Sequence, residues 1–257
     1  MFRFLIGNYG RTYGNFRKEK ITMLKQTDNF SNVKDEISSL CSSRIDTLVS
    51  KNSHIYLTTD DFSAKGLSSA GTKLDFPAQF LVKLNNDNHT DLANSILNTR
   101  WNDYFAKNKN RLLERKFNGK ICALLSTKYN KIDDDDILPI VLQNDYLMNS
   151  EHFWYNIDES HTHIRFISKN KLYVKNDSSP LSMAVFLDNS MTGASSLTIR
   201  FGIYRWACTN GMISHLKEFS IVKEKHYGVK DLTQTTLLAL QDVSLYEKML
   251  LDSVERL

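Results

Sequence analysis

From Leu181 to His226 the spacing of hydrophobic positions predicts three strands and two turns, and the remainder of the chain is read around them. Leu181, Met183, Val185 and Leu187 recur every second residue, the period of a half-buried strand. Asn189-Ser190-Met191-Thr192-Gly193 interrupts that run with turn chemistry. Leu197, Ile199, Phe201 and Ile203 then alternate with Thr198, Arg200, Gly202, Tyr204 and Trp206, so one face is plain core and the other mixes cations with aromatics. Asn210-Gly211 is a strong short-range hairpin signal. Phe219 to His226 reads as the returning strand, with Lys223 and Lys225 in phase with Phe219 and Ile221. The pattern predicts antiparallel pairing of residues 197–208 with 217–226. It also predicts a long helix over 229–256, covering the Leu197/Ile199/Phe201/Ile203 face.

Upstream the period is mostly helical. Val33, Ile37, Leu40, Cys41, Ile45 and Leu48 fall three or four apart, predicting an amphipathic helix over Asn32 to Val49, capped by Ser31 or Asn32. His54 to Thr58 reads as a strand, followed by a polar loop through Asp60-Asp61 and Gly66 to Gly71, and LDFPAQFLVKLN ends in a short helix. A longer helix opens at His89-Thr90-Asp91 and buries Leu92, Ile96, Leu97, Trp101, Tyr104 and Phe105. Gly119 reads as the boundary between an N-terminal helical region, 1–118, and a sheet domain, 119–257, packed together as one unit. Ile121 to Ser126 is a buried strand, Ile157 to Ser168 another, and Leu172-Tyr173-Val174 a short third. Helices, then a mostly antiparallel sheet with a central hairpin, then a covering helix make the predicted class α+β.

Charge changes the picture through its placement. The sum is only +4, from 33 Lys+Arg against 29 Asp+Glu, too slight to demand a polyanion partner. Residues 107–120, however, hold Lys107, Lys109, Arg111, Arg115, Lys116 and Lys120 against Glu114 alone, enough cations to neutralise several phosphates. The first 25 residues carry Arg3, Arg11, Arg17, Lys18, Lys20 and Lys25 among Phe2, Phe4, Tyr9, Tyr13 and Phe16, which reads either as a basic arm or as a tail docked by its aromatics. Cys41, Cys122 and Cys208 are scattered, without the spacing of a zinc site or a disulfide framework, and no apolar run is long enough to span a bilayer; a cytoplasmic location without membrane contact is the expectation.

Reactive constellations are sparse. Asp133 to Asp136 precede ILPIV and read as N-terminal caps of a helix, with a carboxylate metal site as the competing account. Capping alone predicts that alanine at all four costs little stability. His161, His163 and Arg165 share one strand face without a third ligand at metal spacing. Cys208 has no base placed beside it by sequence, and GNYGRTYGNF lacks the strand-before, helix-after context and the Lys-Ser/Thr of a phosphate loop. The expectation is no catalytic residue, no metal and no cofactor.

Four stretches carry a family resemblance. Ser126, Tyr129, Ile132 and Asp133 in SxxYxxID, then LDNSMTGASSL, RWACTNGMI and KHYG, resemble in that order the phage- and plasmid-associated family called domain of unknown function 932. The resemblance covers roughly residues 120 to 257. It implies a mobile-element setting and, at the level of fold, a likeness to phage single-strand annealing proteins. Three readings follow. The first is a single-stranded nucleic-acid-binding protein, an annealing or recombination factor open to self-association. It would use Arg200, Tyr204, Trp206, Lys223 and Lys225 together with Lys107, Lys109, Arg111, Arg115 and Lys116. The second is a protein that binds a host defence protein through Tyr204 and Trp206. The third is a metal-dependent nuclease using Asp133 to Asp136 with His161 or His163.

Overall fold

A computed structural model describes residues 24–108, 110–173, 179–206, 219–224, 226, 240 and 243–254. The class is α+β, and both sheets are antiparallel throughout. The larger sheet has six strands in the order β1 (Lys25–Thr27), β5 (His152–Ile157), β6 (Thr162–Ile167), β7 (Leu181–Asn189), β8 (Leu197–Arg205) and β9 (Phe219–Glu224). The smaller has three in sequence order: β2 (Ile45–Val49), β3 (Leu112–Phe117) and β4 (Lys120–Ser126).

Alternation sorts the large sheet into two faces. Phe153 and Tyr155 on β5, Ile164 and Phe166 on β6, Met183, Val185 and Leu187 on β7, and Leu197, Ile199 and Phe201 on β8 form one core. Over them lie α1 (Phe30–Ser42), α5 (Asp134–Leu142) and the C-terminal helix (Val243–Val254), which contribute Val33, Ile37, Ile137, Val141 and Val243. The expected antiparallel pairing of this hairpin is observed: Leu197 to Phe201 lie opposite Glu224 to Phe219, with a register shift between Ile199 and Arg200. Its Asn210-Gly211 turn lies outside the described residues, and so do 229–239, 241, 242, 255 and 256 of the stretch expected as the covering helix. Within the described part of that helix, Tyr246 stacks on Phe201 at 5.1 Å, the face expected from the alternation. Ile203, the fourth apolar residue of that row, is only half-buried.

The N-terminal half departs from its periodicity. The helix expected over Asn32 to Val49 stops at Ser42, and its cap is Asn29, whose side chain accepts from the Ser31 amide. Ile45 to Val49 instead form β2, paired with Lys116 to Leu112 of β3. Ile45 and Leu48, in phase with a helical stripe, are exposed on this edge strand, so their spacing had no buried face behind it. His54 to Thr58 is irregular, and Gly66 to Gly71, expected as loop, lies inside α2 (Ala64–Leu74). There Gly66 permits the helix to lie against β4: a Cβ at that position would stand 1.8 Å from the Ile121 carbonyl oxygen. α3 (Ala78–Asn86) and α4 (Thr90–Lys107) complete this half, with Leu81, Leu97 and Trp101 fully buried beneath them.

Gly119 proves to be the turn of the β3–β4 hairpin (φ 78°), so the boundary expected there cuts through a paired ladder. A small cluster of Phe117, Cys122 and Met191 joins the two sheets, with Cys41 of α1 against it. No described helix is long and apolar enough to cross a membrane.

Candidate nucleic-acid interface

The basic run at 107–120 does not form a single cationic surface. Lys107 ends α4 and Arg111 precedes β3, both exposed, while Lys109 lies outside the described residues. Once the chain enters β3 its side chains alternate between the sheet's faces. Lys116 is half-buried and paired with Glu114 at 3.2 Å; Glu114 also takes His54 Nε2 at 2.6 Å. Arg115 is fully buried, which corrects its assignment as a phosphate contact. Its Nε and Nη2 each donate at 2.8 Å to the two oxygens of Asp46, its cross-strand neighbour. Nη1 donates to Asp133 and to the Met191 carbonyl, both at 2.5 Å. An unpaired buried guanidinium would be prohibitively costly, so Arg115 is the strut that ties β2, β3, the α5 N-terminus and the turn after β7 together.

Around that strut meet Tyr129, Ile132 and Asp133 of the SxxYxxID stretch, the turn of LDNSMTGASSL and His226; most of RWACTNGMI and the rest of KHYG lie outside the described residues. The Tyr129 hydroxyl is 2.8 Å from His226 Nδ1 and 3.2 and 3.3 Å from the carbonyl oxygens of Ser190 and Met191. The two rings stack with 3° between their planes. Asn189 Nδ2 donates to Asp134 at 2.7 Å and to the Ile132 carbonyl at 3.0 Å, and Thr162 Oγ1 donates to the same carboxylate. Gly193 (φ 73°) sits where a Cβ would come within 2.9 Å of the Tyr129 ring. Burial shifts these groups toward their neutral forms: it raises Tyr129 well above the ordinary phenol, lowers His226, and pushes Asp134 to about 6. Burial would also raise Asp46, but hydrogen bonds from Arg115 and Lys131 outweigh it and hold that carboxyl at about 2.

The four aspartates serve this knot. Asp133 caps α5 in a reciprocal box with Asp136 while bonding Arg115; Asp135 binds Arg44 through both oxygens at 2.9 and 3.0 Å. Asp133, Asp135 and Asp136 do lie close enough to share an ion. The partners present for Asp133 and Asp135 are arginines, and an arginine pair satisfies a carboxylate without a metal.

The strand residues chosen from sequence are also rearranged. Tyr204 is buried, edge-on to Trp206 at 4.9 Å, which corrects its reading as an open stacking platform. Trp206 is half-buried: its Nε1 donates to Ser182 Oγ at 2.9 Å and Lys171 Nζ lies 4.7 Å over its ring. Lys223 lies in β9, with its side chain outside the described residues, as is Lys225 altogether. Arg200 keeps a half-exposed place on the sheet face away from the helices, bound to Asp188 at 2.6 Å.

Register supplies the neighbours that sequence alone missed. Trp154, Arg165, Phe186 and Arg200 are successive partners across β5, β6, β7 and β8, one row on that outer face. Both guanidiniums lie over the Phe186 ring, at 5.6 and 5.5 Å. In the adjacent row His163 Nδ1 lies 2.5 Å from Asp188, opposite it on β7. The His163 ring stacks on His161 at 5.7 Å, and His161 opens into a cleft of about 550 Å³ between the two sheets. Sequence placed Arg165 and His163 on one strand face, but only the pairing order sets them beside Phe186 and Arg200. No family model, curated protein or solved structure matches this chain. The site is therefore read from its own chemistry.

Proposed function

We propose that the protein binds single-stranded nucleic acid along the outer face of the large sheet. The observation that carries this is the aromatic–cation row Trp154–Arg165–Phe186–Arg200. Phe186 is buried with two guanidiniums over its ring, Arg200 also pairing with Asp188, and the planar fork of a guanidinium matches phosphate oxygens. Trp154, half-buried at the end of the row, offers the π-face for a base, and a paired base has no such face to return. Nothing in the row reads base edges, so the expected binding is indifferent to sequence and steeply salt-dependent. An annealing role would be one use of such a surface.

The test is anisotropy of a labelled oligothymidylate at stepped salt, with Arg165→Gln/Arg200→Gln and Trp154→Ala variants. Losing two phosphate contacts should lower the slope of log K against log salt by about 1.4, at roughly 0.7 per phosphate on a single strand. Trp154→Ala should weaken binding by about 1–3 kcal/mol with the salt slope unchanged. Equal affinity for duplex and single strand, or a slope untouched by the double substitution, refutes the assignment of this face.

A further inference from the structure

The cleft beyond His161 has chemistry of its own. Its far wall is α2, which presents Lys65, Ser68, Ser69, Thr72 and Lys73 along one side of the helix. Its near side is built from the 158–161 turn and the Thr192–Ala194 turn, and Leu124, Leu125 and Cys122 supply apolar floor. Asp158 is the acidic counterpart: its carboxylate accepts the amides of Ser160 and His161 at 2.8 and 2.9 Å and pairs with Lys65 at 2.7 Å. Lys73 has no such carboxylate among the described residues. A concave space of this size, with apolar floor and a few polar groups at its rim, suits one small ring-bearing ligand.

We infer that this cleft receives the phosphorylated terminal nucleotide of the strand that the outer sheet face binds. The inference rests on the nucleic-acid reading above. Continuity is the first argument: Arg200, Asp188, His163 and His161 form an unbroken chain of contacts from the row to the cleft mouth. A strand laid along that line passes His161 and meets α2, so an end fits there better than a continuing chain. Charge is the second. A terminal phosphate monoester carries nearly two negative charges where an internal diester carries one. Lys73, Lys65 shared with Asp158, and the hydroxyls of Ser68 and Ser69 can donate to a dianion with several acceptor oxygens, while Thr72 Oγ1 donates to the Ser68 carbonyl; the apolar floor is left for the base.

The experiment compares one labelled oligothymidylate in three forms: unphosphorylated, 5′-phosphorylated and 3′-phosphorylated, with free thymidine monophosphate as competitor. One phosphorylated form should bind about tenfold more tightly than the unphosphorylated strand, the worth of new charge-assisted hydrogen bonds. Lys65→Gln/Lys73→Gln should erase that advantage while leaving the unphosphorylated strand's affinity nearly unchanged. Thr72→Trp, an exposed helix position that tolerates bulk, should erase it by filling the cleft with both lysines intact. Equal binding of all three forms, or an advantage that survives both variants, overturns the inference and leaves the sheet-face reading standing. Free nucleotide binding as tightly as the phosphorylated strand also overturns it, because the strand would then contribute nothing. If no oligonucleotide binds in any form, it is the sheet-face reading itself that has failed.

Discussion

Removing the Arg115 guanidinium would leave buried Asp133 with only Arg44, at 3.3 Å, and half-buried Asp46 with only Lys131, at 2.7 Å. Breaking a buried pair in this way costs about 3–5 kcal/mol, so Arg115→Ala should lower the urea midpoint sharply or prevent folding. Arg111→Ala, four residues earlier and exposed, should leave the midpoint within about 0.5 kcal/mol of the parent. Gly193→Ala should be destabilised on two counts, a positive φ and a Cβ driven against the Tyr129 ring. Asp134 makes a prediction in pH. Burial pushes its carboxyl up from 3.8 to about 6, so the native state holds the proton more tightly. The resulting stabilisation is fully present below the lower value and is lost as pH rises through the upper one. Asp134→Asn keeps the shape and presents an amide to Thr162 and an oxygen to Asn189. Urea titrations should show the variant more stable than the parent at pH 7, by on the order of 3 kcal/mol, with most of the gain gone near pH 4. A gain of equal size at both pH values would show that the charge is not its source.

At the scale of elements, α5 shows how a correct local reading can understate a cost. Asp133 to Asp136 cap that helix as their position in sequence indicates, yet only two of the four act chiefly as surface groups. Asp135 and Asp136 are exposed, and alanine at both should cost about 1–2 kcal/mol in lost capping and pairing. Alanine at all four also takes Asp133 from Arg115 and Asp134 from Asn189 and Thr162, and should destabilise the protein severely rather than weaken it modestly. Comparing thermal midpoints of the double and quadruple variants separates the two contributions. α2 makes a matching case from packing: Gly66→Ala sets a Cβ against the β4 backbone, so the helix must lift from its sheet. Loss of several kcal/mol is expected there, well beyond the favourable helix propensity of alanine.

Across the whole molecule, two sheets and two principal cores meet through Arg115, Met191 and the Phe117–Cys122 contact. Trp101 reports on the core under α4, whereas Trp154 and Trp206 report on the large sheet. Fluorescence-detected unfolding of Trp101→Phe should therefore have the same shape as far-ultraviolet dichroism of the same variant, because joining the halves through buried charge makes them cooperative; two separated transitions would contradict that coupling. The α+β class, the inward faces of β7 and β8, the pairing of β8 with β9 and the helix after Asp133 were legible in sequence, since each depends on local period and on turn or cap chemistry. β2 was not, because Ile45 and Leu48 follow a helical spacing and only pairing with β3 makes the segment a strand. Nor was β1 or β5, whose short mixed-polarity runs gain meaning from their neighbours. The same limit governs the site. Composition shows how many cations the chain carries, but a cation's role depends on which strand lies beside it. Arg115 faces two carboxylates and becomes interior structure, while Arg165 and Arg200 flank one phenyl ring and become surface. Those partners are separated by tens of residues in sequence, and only the tertiary pairing of strands brings them together.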